Sequence, residues 1–339
     1  MAWQVVEKGG RVNALRRLAS RNLPLVVTGS ILVALFAVAS SLYPGFLSWG
    51  VVSNLLADNA FLGIAALGMT FVIFTGGIDL SVGAVIGFTS ILTATLITGH
   101  GWHPAAAWAI AVGAGTTIGL AMGSIVQVFR LPPFLITLSG LFFARGLAFI
   151  VNTESVGIQH PVYRSLSDIQ LSLGPLDLPF AAIVLLAFGA LAYIVAHHTR
   201  FGRNLLAIGG SESSAILMGL PVGRAKIAVY ALNGCFASIA GIIATLYTGS
   251  GNPSMGIGLE LDAIAVVVIG GTLLTGGRGH IAGTLLGLLT FGVIQAAILF
   301  DGRLSSWWMR IVVGLLLLVF ILMQRYLLVR KPRPAVAHP

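Results

Sequence analysis

The 339-residue chain is 57% hydrophobic and 9% charged, with a mean hydropathy of +0.98. Soluble domains carry about 25% charged residues, so this composition excludes a soluble globular fold and points to an all-α polytopic integral membrane protein. The single cysteine, Cys235, excludes a disulfide framework. The net charge of +9 is not a nucleic-acid signal, because the basic residues stand in short clusters between apolar runs.

Residues 1–23 form a basic segment carrying Lys8, Arg11, Arg16, Arg17 and Arg21, and Pro24 then opens an apolar run to Tyr43. Ala37-Val38-Ala39 resembles a signal-peptide cleavage site. The basic region is long, however, and the run reaches the roughly 20 residues a span needs, so an uncleaved first helix is expected. Further spans are expected at about 51–75, 80–98, 105–128, 134–151, 179–196, 227–249, 259–275, 281–299 and 306–325, ten in all. The membrane-spanning body is then 24–326, followed by a tail over 327–339.

Charge tests this layout through the positive-inside rule. With the N-terminus inside, the inner segments hold the five basic residues before Pro24, then Arg130, Arg200, Arg203, Arg224, Lys226, Arg278, Arg325, Arg330, Lys331 and Arg333, fifteen of the nineteen. Outer loops hold Arg164 and Arg303 with Glu154, Asp168, Asp177 and Asp301, while Arg145 and Arg310 fall within spans. Both termini are therefore expected in the cytoplasm. The segment 259–275 is short and glycine-interrupted, but a re-entrant loop there would put the basic C-terminus outside, so a crossing is expected.

Several stretches interrupt the apolar pattern. In Thr75-Gly76-Gly77-Ile78-Asp79-Leu80-Ser81-Val82-Gly83 two glycines break a run and an acid follows, with Asp79 and Ser81 placed to open a new helix and Asp79 as its N-cap. The charge map sets Asp79 near the inner membrane surface, as a cap or an inner-gate contact. Thr75-Gly76-Gly77 recurs 200 residues later as Thr275-Gly276-Gly277, Gly83 as Gly283 and Gly87 as Gly287. These glycine-broken segments are candidate hinges or path linings. Glycines 115, 119 and 123, and likewise 279, 283 and 287, recur every four residues and suit close helix packing.

Polar groups inside spans are costly. Asp58, Asn59 and Phe61 in span two, with Glu260 and Asp262 at the outer start of span eight, are candidates for lining a path for a hydroxyl-rich solute. Helix caps and inter-helix hydrogen bonds are the alternative. The inner loop 197–226 holds a short amphipathic segment, Ser211–Leu220, with Ile216, Leu217 and Leu220 apolar. It needs something to pack on, either a cytosolic partner or the protein's own base. None of the three lysines completes a GxxxxGK[ST] phosphate loop, and no HExxH or catalytic constellation occurs.

TGGIDLSVG, the ten-span layout and the loop RFGRNLLAIGGSESSAILMGL resemble the ribose-type sugar ABC transporter permeases over about Asn22 to Arg325. DNAFLGIAALGMTFVIFTGGIDLSVG, LELDAIAVVVIGGTLLTGG and LSSWW are most similar to a galactofuranose permease subunit. The resemblance implies a multi-pass inner-membrane subunit of an importer that moves a monosaccharide by alternating access. Its expected partners are a second permease subunit, a periplasmic sugar-binding protein and a cytosolic ABC ATPase that carries the ATP-Mg, with no cofactor on this chain. Arg200, Phe201, Gly202, Arg203, Gly209, Gly210, Met218 and Gly219 would then belong to the ATPase-coupling loop; Ser211 stands where the family commonly has Asn. An ion-coupled secondary transporter working through Asp79 or Asp58 is the competing expectation, and a passive channel a third.

Overall fold

The computed structural model describes residues 25–303 and 307–329. The basic segment 1–23, residues 304–306 of LSSWW and the tail from 330 onward lie outside the described residues. Helices run α1 (Leu25–Leu42), α2 (Trp49–Asp58), α3 (Ala60–Phe74), α4 (Val82–Ala94, continued by a π turn to Gly99) and α5 (Pro104–Phe129). They continue as α6 (Pro133–Val151), α7 (Pro161–Ser167), α8 (Phe180–His198), α9 (Arg200–Gly210), α10 (Glu212–Leu217), α11 (Val222–Thr248), α12 (Leu259–Ile269), α13 (Ile281–Asp301) and α14 (Trp307–Val329).

Among the described residues, seven helices are long and apolar enough to cross a membrane, or eight when α2 and α3, bent by 55° at Asn59, count as one span. The tenth expected span falls on α14, a helix of 23 residues. The eighth takes another form: α12 has 11 residues and is about 16 Å long at 1.5 Å per residue, half of a roughly 30 Å hydrocarbon layer.

The passage containing α12 nevertheless traverses the bundle. A Cβ on Gly251 would meet Ser90 O and Ala94 near the C-terminal end of α4, whereas one on Gly83, at the start of α4, would meet Gly256 O and Glu260 Oε2. The chain then enters α12 and arrives at Gly277, whose N–H donates to Phe74 O at 3.0 Å. The passage is built of a run of turns over 253–258 followed by a half-length helix. Bare backbone inside a membrane protein needs internal partners. Arg145 supplies two, its guanidinium donating to Pro253 O at 2.5 Å and Met255 O at 2.9 Å.

Every residue of α3 except Phe61 is buried, and every residue of α4 except Leu92. Helices apolar all round are core helices, and α3, α4, α11 and α12 form the centre here. Their neighbours approach through the repeated glycines. A Cβ on Gly115, Gly119 or Gly123 of α5 would collide with Ser238 Oγ, Tyr230 O or Tyr230 Cβ of α11, and one on Gly283 or Gly287 of α13 with Gly270 O or Val266 O.

One end of the bundle carries α9, α10, Arg224, Lys226 and Arg278. The other carries α7, the hairpin β2 (Gln170–Leu173) with β3 (Leu176–Pro179), and the pairing of β1 (Val156–Gly157) with β4 (Ser250–Gly251). There Tyr163 accepts from the Trp108 indole N–H at 3.1 Å and bonds Thr245 at 3.0 Å, tying α7 to α5 and α11.

Candidate functional site

The two glycine-broken turns, 200 residues apart in sequence, are in contact. Gly76 and Gly276 both adopt left-handed backbone, φ +76° and +80°, which glycine enters without the Cβ clash other residues suffer. A Cβ on Gly276 would lie 2.6 Å from Gly76 N and 3.1 Å from Gly209 Cα, and one on Gly277 would lie 2.7 Å from Gly210 Cα. On Gly209 it would collide with Phe74 O and Gly277 N. Three backbones therefore meet at one node: the end of α3, the turn between α12 and α13, and the end of α9.

Local sequence explains how α9 reaches the node. Thr199 caps it by accepting from Gly202 N at 3.3 Å, and Gly202 leaves room for the Ala196 backbone at the corner with α8. Gly202, Leu205 and Ile208 form its buried stripe, Phe201 packs partly buried on the core, and Arg200 and Arg203 point outward. The expected amphipathic segment Ser211–Leu220 holds α10, and a second helix, α9, precedes it in the loop, because Ser211 ends α9 and caps α10 by accepting from Ser214 N at 3.3 Å. Its apolar residues do not cover the protein's own base as an amphipathic face would. Ala215 is the buried residue, while Ile216, Leu217 (89% exposed) and Met218 (66% exposed) project outward. Gly219, φ +75°, lets the helix terminate, and its N–H donates to Ile216 O at 2.9 Å. Lys226 pins α10 to α11 through Glu212 at 2.6 Å.

Asp79 is not a helix cap at a wet surface. It is 1% exposed, and Ser81 holds the N-cap position of α4 without a side-chain cap bond. Asp79 Oδ1 instead accepts from Ser81 N at 2.9 Å and Ser81 Oγ at 2.6 Å, closing an Asx turn. Its Oδ2 accepts from Asn233 Nδ2 at 2.8 Å. Asn233 stands two residues from Cys235, the middle of α11, so Asp79 ties the first broken turn to the interior of the longest core helix. Asn233 Oδ1 and the Tyr230 hydroxyl have no hydrogen-bond partner among the described residues.

The candidate path residues fall into two groups rather than one lining. Asp58 accepts from Tyr247 Oη at 3.1 Å, and Phe61 lies against the same ring at 6.4 Å between centroids. Asn59 is spent on structure: it is buried at the α2–α3 break and donates to Leu55 O at 3.0 Å. Glu260 and Asp262 open α12, facing Arg145 of α6 and Arg310 of α14. Sequence reading missed Asn233, Arg145 and Arg310 as site residues. Each was visible as a lone strongly polar side chain in an apolar run, the signal that marks function or a partner inside a membrane.

Residues 51–321 match the family model described as branched-chain amino acid transport system / permease component. The chain belongs to this permease family. Among similar members is the inner membrane ABC transporter permease protein YjfF of Escherichia coli K12, 45% identical over 92% of this chain and 95% of that one. The fructose import permease protein FruG of Bifidobacterium longum is 37% identical over 91% and 92%. The ribose import permease protein RbsC of Escherichia coli K12 is 36% identical over 86% and 90%. No solved structure matches. The resemblance to ribose-type sugar ABC permeases is borne out, and this family member is a multi-pass inner-membrane transport component rather than a catalytic enzyme.

Proposed function

We propose that this permease is the membrane-spanning subunit of an ATP-driven importer for a monosaccharide, galactofuranose-like or another pentose or hexose, working by alternating access with both termini in the cytoplasm. The observation that carries the reading is the short path from an exposed apolar knob to the two broken turns. Ile216, Leu217 and Met218 stand out from α10, and α9, directly before it, abuts both turns. A subunit that takes up work mechanically needs contacts whose energies differ between two states, and this geometry supplies a rigid lever between a partner and the core. A cytosolic ABC ATPase holding ATP-Mg would seat on the knob, a periplasmic sugar-binding protein would deliver solute to the opposite end, and a second permease would complete the membrane core. The relatives named for ribose and fructose import support a small sugar as solute.

The test is reconstitution in proteoliposomes with and without the ATPase. Uptake should require ATP and all subunits; uptake by this chain alone under an ion gradient would sink the reading. Leu217→Asp replaces a fully protruding leucine by a charge. Burying such a side chain is worth about 1.5–3 kcal/mol, so ATPase binding should weaken by roughly ten- to a hundredfold in a pull-down titration, with insertion unchanged.

A further inference from the structure

Of the helices long enough to cross a membrane, α1 is the least buried, and it is fastened at both ends. At the inner end Thr28 Oγ1 donates to Ile269 O at 2.7 Å. At the outer end Tyr43 Oη donates to Asp301 Oδ1 at 3.3 Å, and the rings of Tyr43, Phe46 and Phe300 pack together. Between these fastenings lies a cavity of about 200 Å³. It is walled by Leu35, Val38 and Leu42 of α1, Val293 and Ala297 of α13, and Val312 of α14.

Water gains nothing in such a space. An apolar cavity of about 150 Å³ stays dry and takes up a small hydrocarbon instead, and an empty one forfeits dispersion energy along its lining. Val38 and Leu42 line the cavity and are also 54% and 64% exposed, so it opens onto the lipid-facing side of α1. Its outer rim carries two opposite charges. Arg303 is exposed and stands two residues beyond Asp301, and Gly302, φ +64°, turns the chain between them. Among the described residues no ion pair within 4.0 Å involves either of them. Three residues before Tyr43, the Ser40 hydroxyl is buried and has no partner among the described residues.

We propose that the α1–α13–α14 crevice is a binding site for one zwitterionic phospholipid of the periplasm-facing leaflet, with an acyl chain in the cavity and the headgroup held between Asp301 and Arg303. An acid and a cation held apart at the mouth of an apolar cavity match a headgroup that carries both an ammonium and a phosphate. The guanidinium fork suits the phosphate, the Asp301 carboxylate the ammonium, and the Ser40 hydroxyl can donate to an ester carbonyl. A headgroup that is only anionic would set like charge against Asp301. The acyl chain completes the packing of α1 on α13, the helix that follows the second broken turn and meets α12 through Gly283 and Gly287. The proposal rests on the orientation proposed above, which sets this rim at the outer face.

The test uses the assembled transporter in bilayers of equal phosphatidylethanolamine and phosphatidylglycerol, with a trace of phosphatidylethanolamine carrying a photoreactive group on one acyl chain. Peptides spanning 35–42 and 293–298 should be labelled at least about threefold more than those of α5 and α8. Added phosphatidylethanolamine should compete, and phosphatidylglycerol should not. Labelling spread evenly over the outward helices, or equal competition by the two lipids, would overturn the site. Asp301→Asn combined with Arg303→Gln changes only the rim and should cut the labelling at least about threefold; unchanged labelling would refute the headgroup contacts. Ala297→Phe fills the cavity and should abolish the labelling; if that variant fails to insert, the rim variant decides. A photo-cross-linking amino acid at Val38 should capture lipid, and capture of a polypeptide there would overturn the assignment of the occupant. None of these readouts depends on ATP-driven uptake, so the lipid site and the sugar-import reading can fail separately.

Discussion

Gly209→Ala is expected to cut ATP-driven uptake by at least about tenfold, whereas Gly210→Ala, one residue on, leaves it intact. The added methyl at position 209 would meet Phe74 O and Gly277 N, both backbone atoms that cannot swing aside, while nothing lies within 4 Å of a Cβ on Gly210. Overpacking of this kind costs about 1–3 kcal/mol, or it pushes α9 away from both broken turns. Helix propensity works in the opposite direction, because alanine is the better helix former by about 0.5–1 kcal/mol. A loss of function at 209 therefore reports the close approach and not a weakened helix. The measurement is initial uptake alongside ATP hydrolysis, with the amount of protein in the membrane as control. Hydrolysis that continues without uptake is the expected signature of a severed lever; wild-type uptake by Gly209→Ala would remove the node from the mechanism.

Periodicity and charge were enough to locate the long apolar segments, because spans are long and every interruption in an apolar run is visible; α7 and α9 lie in stretches read as loops. What the sequence concealed were relationships across distance. Thr75-Gly76-Gly77 and Thr275-Gly276-Gly277 look like an echo, and nothing in either stretch says that they touch each other or that Gly209 of α9 abuts them. The same holds for 259–275. Its glycines announce an interrupted helix, but that a turn-rich stretch from Gly251 to Gly258 makes up the missing length depends on Arg145, a hundred residues earlier, satisfying two of its carbonyls. Asp79 was legible as an anomaly and misplaced as a cap, since its decisive partner, Asn233, is 154 residues away. In loop 197–226 the apolar residues Ile216 and Leu217 were found correctly, yet hydrophobicity alone does not distinguish a face that covers the protein from one that waits for another.

The Asp79–Asn233 pair allows a sharper test than removal of either side chain. Asp79→Ala leaves Ser81 N–H and Asn233 Nδ2 buried without acceptors, at about 1–3 kcal/mol for each stranded group, and should lower the melting temperature in detergent as well as uptake. Asp79→Asn should do neither. The new amide keeps an oxygen for Ser81, and Asn233 can turn its Oδ1, which has no partner among the described residues, toward the new N–H. Asn233→Asp, by contrast, sets two carboxylates within hydrogen-bonding distance of each other in a buried site. Like charges so close cannot both ionise, and the variant should be severely destabilised. Exchanging the pair, Asp79→Asn with Asn233→Asp, restores one acid facing one amide and should recover most of the loss, a non-additivity expected only of groups in direct contact. If the exchange rescues folding but not uptake, the carboxylate has work to do at position 79 itself, and Asp79 is more than the fastening between the first broken turn and α11.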